Sequence, residues 1–422
     1  MGNPARQTRS SSKRVCVIGA GVTGIAVIHE LNRQGILYDC YEQSNDIGGI
    51  WHYNDNPNSS SVYQNCTLNH STHLMAYPFF SMNGQNERFI GRQEYHQYLT
   101  DTVDTLQLRQ TINLNTKVTS VTPFGDLWRV VVNETTHLYS NIVICTGYYS
   151  ERFVPDEFTK NYHGDAIHSS QYREPTAMAN KKVLIVGSGS SAFQIACDIA
   201  NITTSVALSV RNMPYVIPKY IFGRPYNRSH FSWLKKLPVR WQSTVIEYLI
   251  NCSNGKQQHY GLPAPCQDLL SGRLPISSDI FDKTESGQIQ FLPGIDYCNQ
   301  RQIIFNNGAI HDFDTVIFAT GYQRTLPFLH DVPFDHADHY KFISHIDRPG
   351  LFYCGFLQPI GPVPPVVATQ ARFIANIISG QDQKPDQAAQ RHFMEQLLST
   401  LSKRYHGDFS GRIAVSDYLS LF

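Results

Sequence analysis

The sequence carries little charge and no excess of either sign. Only 16% of its 422 residues are charged, and 35 Lys and Arg stand against 34 Asp and Glu, a formal net charge of +1. A nucleic-acid-binding protein concentrates Lys and Arg on one face, so this balance argues against that class. An aromatic content of 12% and the lack of a long like-charge block argue against a disordered chain. At about 150 residues per domain, the length predicts two or three domains.

Long apolar runs and paired cysteines are also missing. The sequence has no run of about 18 apolar residues, and the residues up to Arg14 lack the apolar stretch that a secretory signal needs. The nine cysteines are odd in number and include no Cys-x-x-Cys pair, which excludes a disulfide framework and a zinc knuckle. We therefore expect a soluble, cytoplasmic protein with reduced thiols, no metal site, no nucleic-acid partner and no membrane contact.

An internal duplication organises the chain. Residues 14–18 form an apolar run that leads into a glycine-rich turn at 19–24, and residues 182–186 lead in the same way into a second turn at 187–192. Apolar residues recur at helical spacing behind both turns, so each copy predicts a strand, a turn and a helix. Two apolar runs that end in Thr-Gly-Tyr form a second matching pair. We interpret these pairs as two dinucleotide-binding units, one inserted into the other.

The predicted fold class is α/β, with two Rossmann-like domains in a three-layer arrangement like that of glutathione reductase. Residues 1–160 and 325–422 are predicted to form an FAD-binding unit, and residues 161–324 an NADPH-binding unit. Residues 213–291 are predicted to be an irregular insertion, which either faces the substrate or serves as structural cover. The other predicted elements are strands broken by a hairpin at Pro123-Phe124-Gly125 and closing helices at 368–378 and 388–401.

The first glycine turn suits FAD. A glycine turn at a helix N-terminus binds pyrophosphate, because bare backbone lets the phosphate approach unpaired N–H groups. Glu42 ends the next strand, 23 residues after Gly19, where a carboxylate accepts hydrogen bonds from ribose hydroxyls. Such an acid repels a 2′-phosphate, so this unit suits the adenosine half of FAD. The alternative is a solvated acid at a strand end.

The second glycine turn has a different companion. The corresponding position is Val210, followed by Arg211, and no acid stands there. A cation in place of the acid suits the 2′-phosphate of NADPH, although a surface arginine without a ligand remains the alternative. FAD beside NADPH indicates hydride transfer to a flavin. No two cysteines have redox-active spacing, so O2 is the expected acceptor of the flavin's electrons.

Several segments together resemble the flavin-containing monooxygenases. Residues 162–172 (YHGDAIHSSQY) resemble the identifying sequence of that family, and they lie just before the second glycine turn. Residues 42–51 are similar to its FAD segment and residues 68–75 to its active-site segment. Residues 318–329, and 355–361 followed by Gln370-Ala371-Arg372, extend the match. The resemblance covers roughly residues 13–380.

The resemblance implies a soluble class B flavin monooxygenase and its mechanism. NADPH reduces FAD, O2 adds at flavin C4a, and the hydroperoxyflavin oxygenates a soft nucleophile, an amine nitrogen or a sulfide sulfur of a small molecule. Asn69 matches the family's active-site Asn and is the implied catalytic residue. His168 and Tyr172 are expected to serve in positioning near the domain linker rather than in catalysis, and the alternative is an ordinary packing role. A homodimer is compatible with the resemblance.

The turns and the resemblance together predict the residues that touch the cofactors. The predicted FAD contacts are Gly19, Ala20, Gly21, Val22, Thr23, Gly24, Glu42, Gln43, Gly49, Ile50, Trp51, Leu68, Asn69, His70, Val118, Thr146 and Gly147. The predicted NADPH contacts are Gly187, Ser188, Gly189, Ser190, Ser191, Ala192, Ser209, Arg211, Thr320, Gly321 and Tyr322. Gln370 is predicted to contact one of the two cofactors.

Departures from the family pattern leave other functions open. Tyr162 stands where the family usually has Phe, and Leu68 precedes Asn69 where many members have Thr. Baeyer–Villiger enzymes end the identifying sequence with Trp-Pro, whereas Arg173 follows Tyr172 here, which lowers without excluding ketone oxidation. The alternatives are therefore Baeyer–Villiger insertion, oxidative decarboxylation of a 2-oxo acid, and a non-enzymatic flavoprotein redox sensor.

Overall fold

The computed structural model of the protein describes most of the chain. The described residues are 14–82, 84, 87–159, 161–226, 239–266, 269, 274–330, 332–404 and 412–422. The polar N-terminal stretch of the sequence analysis lies outside them up to residue 13, as do residues 227–238, 267–268 and 270–273 of the predicted insertion.

The strands are short and are grouped in two mainly parallel sheets with smaller sheets around them. In chain order they are β1 (Val15–Ile18), β2 (Tyr38–Tyr41), β3 (Ile112–Asn113), β4 (Val118–Phe124), β5 (Leu127–Val132), β6 (Thr135–Tyr139), β7 (Asn141–Ile144), β8 (Glu151–Arg152), β9 (Asp165–His168), β10 (Lys182–Val186), β11 (Ser205–Ser209), β12 (Tyr220–Ile221), β13 (Arg224–Pro225), β14 (Ile289–Leu292), β15 (Ile295–Asn299), β16 (Gln302–Phe305), β17 (Ile310–Asp312), β18 (Thr315–Phe318), β19 (Tyr322–Gln323), β20 (His339–Tyr340), β21 (Ser344–His345), β22 (Leu351–Tyr353), β23 (Gln358–Ile360) and β24 (Arg412–Ala414).

The helices vary from a single turn to about five turns. In chain order they are α1 (Val22–Arg33), α2 (Thr72–Met75), α3 (Arg92–Thr105), α4 (Asp156–Thr159), α5 (Ser190–Ile199), α6 (Val239–Asn254), α7 (Asp279–Glu285), α8 (Val363–Ser379), α9 (Gln387–Arg404) and α10 (Val415–Leu419). None of the helices in the described part of the chain is long and apolar enough to cross a membrane.

The two parallel sheets repeat one strand order. The first sheet has the order β20-β21-β22-β7-β1-β2-β3, and the second has the order β14-β11-β10-β18-β9. In each sheet, the strand before a glycine turn lies between the next strand along the chain (β2 or β11) and the strand before a Thr-Gly sequence (β7 or β18), all parallel. The predicted α/β class and the internal duplication are confirmed.

The side chains of the central strands alternate between two cores. Val15 and Val17 of β1 pack with α1, α3 and α8, whereas Cys16 and Ile18 pack with the antiparallel sheet β4-β5-β6. In the second sheet, Leu184 of β10 faces another antiparallel sheet, β15-β16-β17, and its neighbours along the strand face α5 and α7. Because a strand has a two-residue period, a fully apolar strand buries both faces. Each unit therefore has the three predicted layers.

Three predicted boundaries need correction. Pro123 and Phe124 lie within β4 and pair with β5, so the hairpin turns at Gly125 and Asp126. Proline is tolerated there because β4 is an edge strand and its N–H side needs no partner. α8 begins at Val363, before the predicted 368, because prolines in a first helical turn cost no internal hydrogen bond. α9 is also longer than the predicted 388–401, by a residue at its start and three at its end.

The predicted insertion is more regular than expected. It contains the two-stranded sheet β12-β13, the 16-residue helix α6 and the shorter helix α7. Its predicted last residues belong to β14, which is the edge strand of the second parallel sheet and pairs with β11. The irregular part therefore ends before Ile289.

The chain passes between the two parallel sheets through paired strands. β8 follows the first Thr-Gly-Tyr sequence, β19 begins within the second, and they pair antiparallel through Tyr322 with Arg152 and Gln323 with Glu151. The outgoing and returning segments therefore lie side by side.

Candidate cofactor sites and active site

We call the first glycine turn, residues 19–24, the first cradle. Close backbone contacts leave no room for a side chain at its first and last glycines. A Cβ atom on Gly19, whose φ is +101°, would lie 2.8 Å from the carbonyl oxygen of Cys145. A Cβ on Gly24 would lie 1.9 Å from the carbonyl oxygen of Gly19. Gly21 is the N-cap of α1, and no side chain caps that helix. A helix N-terminus left open in this way fits a pyrophosphate.

A second pair of glycines closes over this cradle. Gly48 donates its N–H to the carbonyl of Ala20 at 3.0 Å, and a Cβ on Gly21 would lie 3.3 Å from the Cα of Gly49. Ile50 and Trp51 follow in a 3₁₀ turn, and the Trp51 ring meets the Tyr95 ring edge-on at 4.9 Å. Residues 48–51, which belong to the segment that resembles the FAD segment of the flavin-containing monooxygenases, therefore lie against the first glycine turn.

Glu42 is held by backbone groups at the end of β2. Its carboxylate accepts hydrogen bonds from the N–H of Ala20 at 2.7 Å and from the N–H of Ser44 at 2.8 Å, and it is buried. These bonds fix the carboxylate beside the cradle, where a ribose would lie next to the pyrophosphate. Gln43, the next predicted contact, is exposed.

The other predicted FAD contacts differ in their surroundings. Thr146 is exposed at the end of β7, and Gly147 follows with a φ of +66°. Val118 is buried in the hydrophobic cluster that contains Ile18 and Tyr41. Its side chain therefore supports the sheet beneath the cradle.

The second glycine turn, residues 187–192, repeats this geometry in a more open form, and we call it the second cradle. A Cβ on Gly187, whose φ is +138°, would lie 2.5 Å from the carbonyl oxygen of Ala319, as Gly19 lies against Cys145. A Cβ on Gly189 would meet no atom within 4 Å. α5 begins at Ser190 with no side-chain cap, Ser191 is exposed, and Ala192 is buried at the position of Gly24.

Arg211 lies two residues after β11, at the mouth of the second cradle. Its side chain is exposed and crosses Gly294, where a Cβ would lie 2.9 Å from the arginine's Cγ. No carboxylate within the described ranges forms an ion pair with it. Ser209 is buried instead, and its hydroxyl donates to the carbonyl of Pro293 at 2.9 Å.

The residues after β18 contact the identifying sequence. Thr320 donates its hydroxyl to the carbonyl of Phe153, and Gly321 has a φ of +90°. A ring nitrogen of His168 lies 3.0 Å from the carbonyl oxygen of Gly321, and its ring meets that of Tyr322 edge-on at 4.9 Å. Burial lowers the pKa of His168, which therefore stays neutral and packed at the end of β9.

The identifying sequence has structural reasons for its residue types. Tyr162 is buried and donates its hydroxyl to the carbonyl of Phe313 at 2.8 Å. A Cβ on Gly164 would lie 2.3 Å from that hydroxyl oxygen, so glycine is required beside the ring. Tyr172 donates to a carboxylate oxygen of Asp198 at 2.6 Å. These contacts hold the segment in place, and its predicted positioning role stays a prediction.

The segment that the sequence predicts as catalytic joins the two halves of the molecule. We call residues 67–70 the active-site loop. Leu68 is buried, and its N–H donates to the carbonyl of Ile90 at 2.9 Å. The side-chain oxygen of Asn69 accepts a hydrogen bond from the amide of Gln194 at 2.6 Å. Gln194 lies on α5, directly behind the second cradle, so Asn69 lies where the two units meet.

Gln194 was not predicted from the sequence. Its amide oxygen accepts the hydroxyl of Tyr63 at 2.9 Å, while its amide nitrogen donates to Asn69. The signal was a polar residue on the face of α5 opposite the buried Ala192, Ala196 and Ile199. That signal is weak, because surface helices carry many glutamines.

Two residues of the predicted insertion reach the active-site loop. The hydroxyl of Tyr226 lies 2.6 Å from a ring nitrogen of His70, and burial lowers the pKa of His70 to about 4. Lys219 donates to the hydroxyl of Thr67 at 3.0 Å, and its ammonium lies 5.6 Å from the centre of the Phe89 ring. No described carboxylate forms an ion pair with Lys219.

Gln370, which is predicted to contact one of the two cofactors, bonds to other protein groups in this structure. It is fully buried in α8, accepts the N–H of Gly355 at 2.8 Å and donates to the hydroxyl of Tyr418 at 2.8 Å. A Cβ on Gly355 would lie 2.5 Å from the hydroxyl oxygen of Thr23 in α1. Gln370 thus fixes a turn that packs against the first cradle.

The whole chain matches one protein family. The family model described as FMO-like, flavin-binding monooxygenase-like, matches residues 12–421.

The chain belongs to the flavin-binding monooxygenase-like family.

Its curated relatives in this family share somewhat more than a quarter of their residues with it. A 4-hydroxybenzoate brominase (decarboxylating) from Marinomonas mediterranea is 29% identical, over 93% of this chain and 79% of that protein. The flavin-containing monooxygenase 1 of Mus musculus is 28% identical, over 88% of this chain and 75% of its own length. The family resemblance predicted from the sequence segments is confirmed, and the chain is a monooxygenase.

Solved flavin monooxygenases share the fold of this family member. The S-allyl-L-cysteine S-oxygenase of Allium sativum superposes with a TM-score of 0.71 and 22% identity, over 97% of this chain and 87% of that one. A cyclohexanone monooxygenase of Rhodococcus sp. Phi1, bound to NADP+, superposes with a TM-score of 0.69 and 17% identity, over 93% and 89%.

Proposed function

We propose that this monooxygenase holds FAD in the first cradle and NADPH in the second, and uses O2 to oxygenate an amine nitrogen or a sulfide sulfur of a small molecule. The observation that carries the proposal is the hydrogen bond of 2.6 Å between Asn69 and Gln194. It ties the predicted catalytic loop to the helix that begins at the second cradle. The division at residues 161 and 324, and a homodimer, are part of the same proposal.

The residues of the first cradle fit FAD. Backbone contacts require glycine at Gly19 and Gly24 and leave little room at Gly21, and no side chain caps the N-terminus of α1, where a pyrophosphate would bind. Glu42 lies beside them as the acceptor for a ribose hydroxyl. When bound, FAD takes a hydride from NADPH and activates O2, which protein side chains cannot do.

The second cradle fits NADPH. Gly187 and Gly189 bring bare backbone to the start of α5, and Ser188, Ser190 and Ser191 add hydroxyl groups around it. Arg211 supplies a positive charge that lacks an ion-pair partner among the described residues, as a 2′-phosphate requires.

The active-site loop would position the reactants and exclude water. The amide nitrogen of Gln194 donates to the side-chain oxygen of Asn69. The NH2 group of Asn69 therefore faces away from Gln194 and can donate to a ligand. Leu68 presents a buried apolar side chain, and His70 is covered by Tyr226 and stays neutral. Because water is excluded from these surroundings, the hydrogen bond that Asn69 donates would be stronger than in water.

The proposal is tested with Asn69→Ala. We expect the flavin content to stay at the wild-type level, since the first cradle is untouched. The amount of oxygenated thioether formed per NADPH consumed should fall about 10-fold or more, which is the effect of losing one hydrogen bond to a charged group. H2O2 should account for the rest of the NADPH consumed. Asn58→Ala, at an exposed asparagine, is the control and should match wild type. An unchanged yield per NADPH would remove Asn69 from the mechanism, and a wild-type protein without flavin would overturn the function.

Gln194 should act only through Asn69. Gln194→Ala is expected to lower the yield per NADPH by a smaller factor, without changing the KM for NADPH. The double variant Asn69→Ala/Gln194→Ala should then be no worse than Asn69→Ala alone, because the two side chains form one unit. Additive losses would instead show that Gln194 contacts a ligand directly.

The position of Lys219 favours a second, narrower candidate function, in which the oxygenated substrate carries a carboxylate. Its ammonium is half-buried beside the active-site loop, and a cation of this kind binds an acidic group strongly. The names of two similar proteins, a 4-hydroxybenzoate brominase and an S-allyl-L-cysteine S-oxygenase, describe substrates with such a group. Lys219→Met should lower kcat/KM about 10-fold for a thioether acid and little for its methyl ester. Lys256→Met, at an exposed lysine, is the control, and equal losses for acid and ester would reject the candidate.

A further inference from the structure

Two histidines and an aspartate meet beside the glycine pair that closes the first cradle. Asp46 and His52 lie on either side of Gly48 and Gly49 in the segment after β2, and His96 lies on α3. One side-chain atom from each of the three can be chosen so that all lie within 4.8 Å of one another. None of these residues belongs to the predicted FAD or NADPH contacts.

Contacts made by one carboxylate oxygen of Asp46 orient the other oxygen towards the two histidines. Oδ1 accepts the N–H of Ile47 at 2.8 Å and lies 3.4 Å from a guanidinium nitrogen of Arg109. Oδ2 is left 3.5 Å from Nε2 of His96 and 4.0 Å from Nδ1 of His52. Carboxylate ligands of metals are typically oriented by hydrogen bonds to the second oxygen in this way.

His52 is also oriented by a neighbour. Its Nε2 lies 2.9 Å from the side-chain oxygen of Asn45, which requires the ring proton on that nitrogen. Nδ1 then carries a lone pair and points towards Asp46. A histidine whose other nitrogen donates to an oxygen is the usual arrangement of a metal ligand.

The position of His96 is built into the backbone around it. A Cβ on Gly48 would lie 2.8 Å from the His96 ring, so glycine is required to admit that ring. Nε2 of His96 lies 3.0 Å from the carbonyl oxygen of Ile47, a hydrogen bond that it would exchange for a metal bond by moving its proton to Nδ1. The buried neighbours Tyr95 and Leu99 anchor this part of α3 in the core.

We propose that Asp46, His52 and His96 form a binding site for one divalent transition-metal ion of the zinc type, with water completing the coordination. Two imidazoles and one carboxylate favour Zn²⁺ and its neighbours over Mg²⁺ and Ca²⁺, which prefer oxygen ligands alone. Bonds of about 2.1 Å in a tetrahedral site separate ligand atoms by roughly 3.4 Å, so atoms that now lie within 4.8 Å would move together by up to about 1.4 Å on binding. The bound ion would join the loop that closes the first cradle to α3.

The experiment measures Zn²⁺ binding to the full chain, purified with whatever flavin it retains and stripped of metal with a chelator. Isothermal titration with Zn²⁺ should show one site whose affinity falls at least 10-fold in His52→Ala and in His96→Ala. His52→Gln and His96→Gln serve if an alanine variant does not fold. His392→Ala, at an exposed histidine of α9, is the matched control and should bind as the wild type does.

A second readout locates the ion. Zn²⁺ should raise the midpoint of thermal unfolding in the wild type and in His392→Ala but not in the two cluster variants. Crystals soaked in Zn²⁺ should give an anomalous peak between the three side chains. Wild-type affinity in either cluster variant, or zinc found only elsewhere, would overturn the proposal. Neither readout depends on oxygenase activity, so the metal site and the proposed function can fail separately.

Discussion

The first and second cradles share a strand order and a glycine held against a backbone carbonyl, yet they are closed to different degrees. In the first, a Cβ on Gly24 would lie 1.9 Å from the Gly19 oxygen, and Gly49 packs against Gly21. In the second, Ala192 replaces the last glycine, and a Cβ on Gly189 would meet nothing within 4 Å. The proposed function assigns the more closed cradle to FAD, which stays bound, and the more open one to NADPH, which enters and leaves in every turnover.

The charges at the cradles differ in the same sense. Glu42 is buried and bonded to the turn itself, as suits a permanent ribose partner. Arg211 is exposed and crosses Gly294, so its guanidinium can meet a ligand that arrives from solvent. In the proposed function, the duplicated backbone sets where each nucleotide would bind, and Glu42 and Arg211 distinguish the two nucleotides.

The largest expected effect comes from filling the first cradle. Gly24→Ala places a methyl group on the carbonyl of Gly19, so we expect a destabilisation of at least about 3 kcal/mol and loss of nearly all bound flavin. The ratio of visible to ultraviolet absorbance and the unfolding midpoint measure both effects. Gly189→Ala is the matched change in the open cradle and should keep its flavin. Equal flavin loss in the two variants would contradict the comparison.

An intermediate effect is expected from the charge at the second cradle. Arg211→Ala should raise the KM for NADPH by roughly 10- to 100-fold, the value of one hydrogen bond between charged groups. The KM for NADH should hardly change, because NADH lacks the 2′-phosphate. Steady-state kinetics with both coenzymes measure this, with Arg301→Ala at an exposed arginine as the control. If both KM values rise together, Arg211 does not recognise the phosphate.

The smallest expected effect is on the pH dependence of stability. It distinguishes two buried histidines, one from each of the two large sheets. His339 of β20 is fully buried, and neither of its ring nitrogens has a hydrogen-bond partner in the part of the chain that the structure describes. Burial, with His345 and His336 nearby, holds its pKa well below the usual value. Unfolded, it binds a proton below about pH 6.5, so stability should fall as the pH drops, by up to about 1.4 kcal/mol per pH unit. His168 of β9 has hydrogen bonds at both nitrogens, and its pKa is lowered less.

Urea unfolding at pH 6.5, 5.5 and 5.0 checks this expectation. His339→Leu should reduce the acid loss of stability relative to wild type, since leucine cannot take a proton in the unfolded state. His392→Leu, which changes an exposed histidine, should leave the loss unchanged. Identical pH profiles for wild type and His339→Leu would show that His339 does not limit stability in acid.

The sequence predicted what depends on short stretches of chain. Glycine turns, buried strands and the residues that end them are local patterns, so the two cradles, Glu42 and the exposed Arg211 lie where they were expected. The layers were predicted too, but the sheet β15-β16-β17 and the strand β14 were not, because the second unit mixes them with irregular segments.

The contacts that join distant residues could not be predicted. Gln194 meets Asn69 only because the two units dock face to face, and no pattern in either segment encodes that docking. The cofactor contact predicted for Gln370 stays a prediction, but the hydrogen bonds by which its amide joins Gly355 to Tyr418 are revealed only by the packed structure. The cluster of Asp46, His52 and His96 was missed because its members are not spaced like a metal motif.

The pairing of β8 with β19 has a consequence for engineering. Everything between these strands leaves and rejoins the rest of the chain at one spot, so it forms a cassette with adjacent ends. A cassette from a relative with another coenzyme preference can be grafted through two neighbouring junctions, without cutting the segments that build the first sheet.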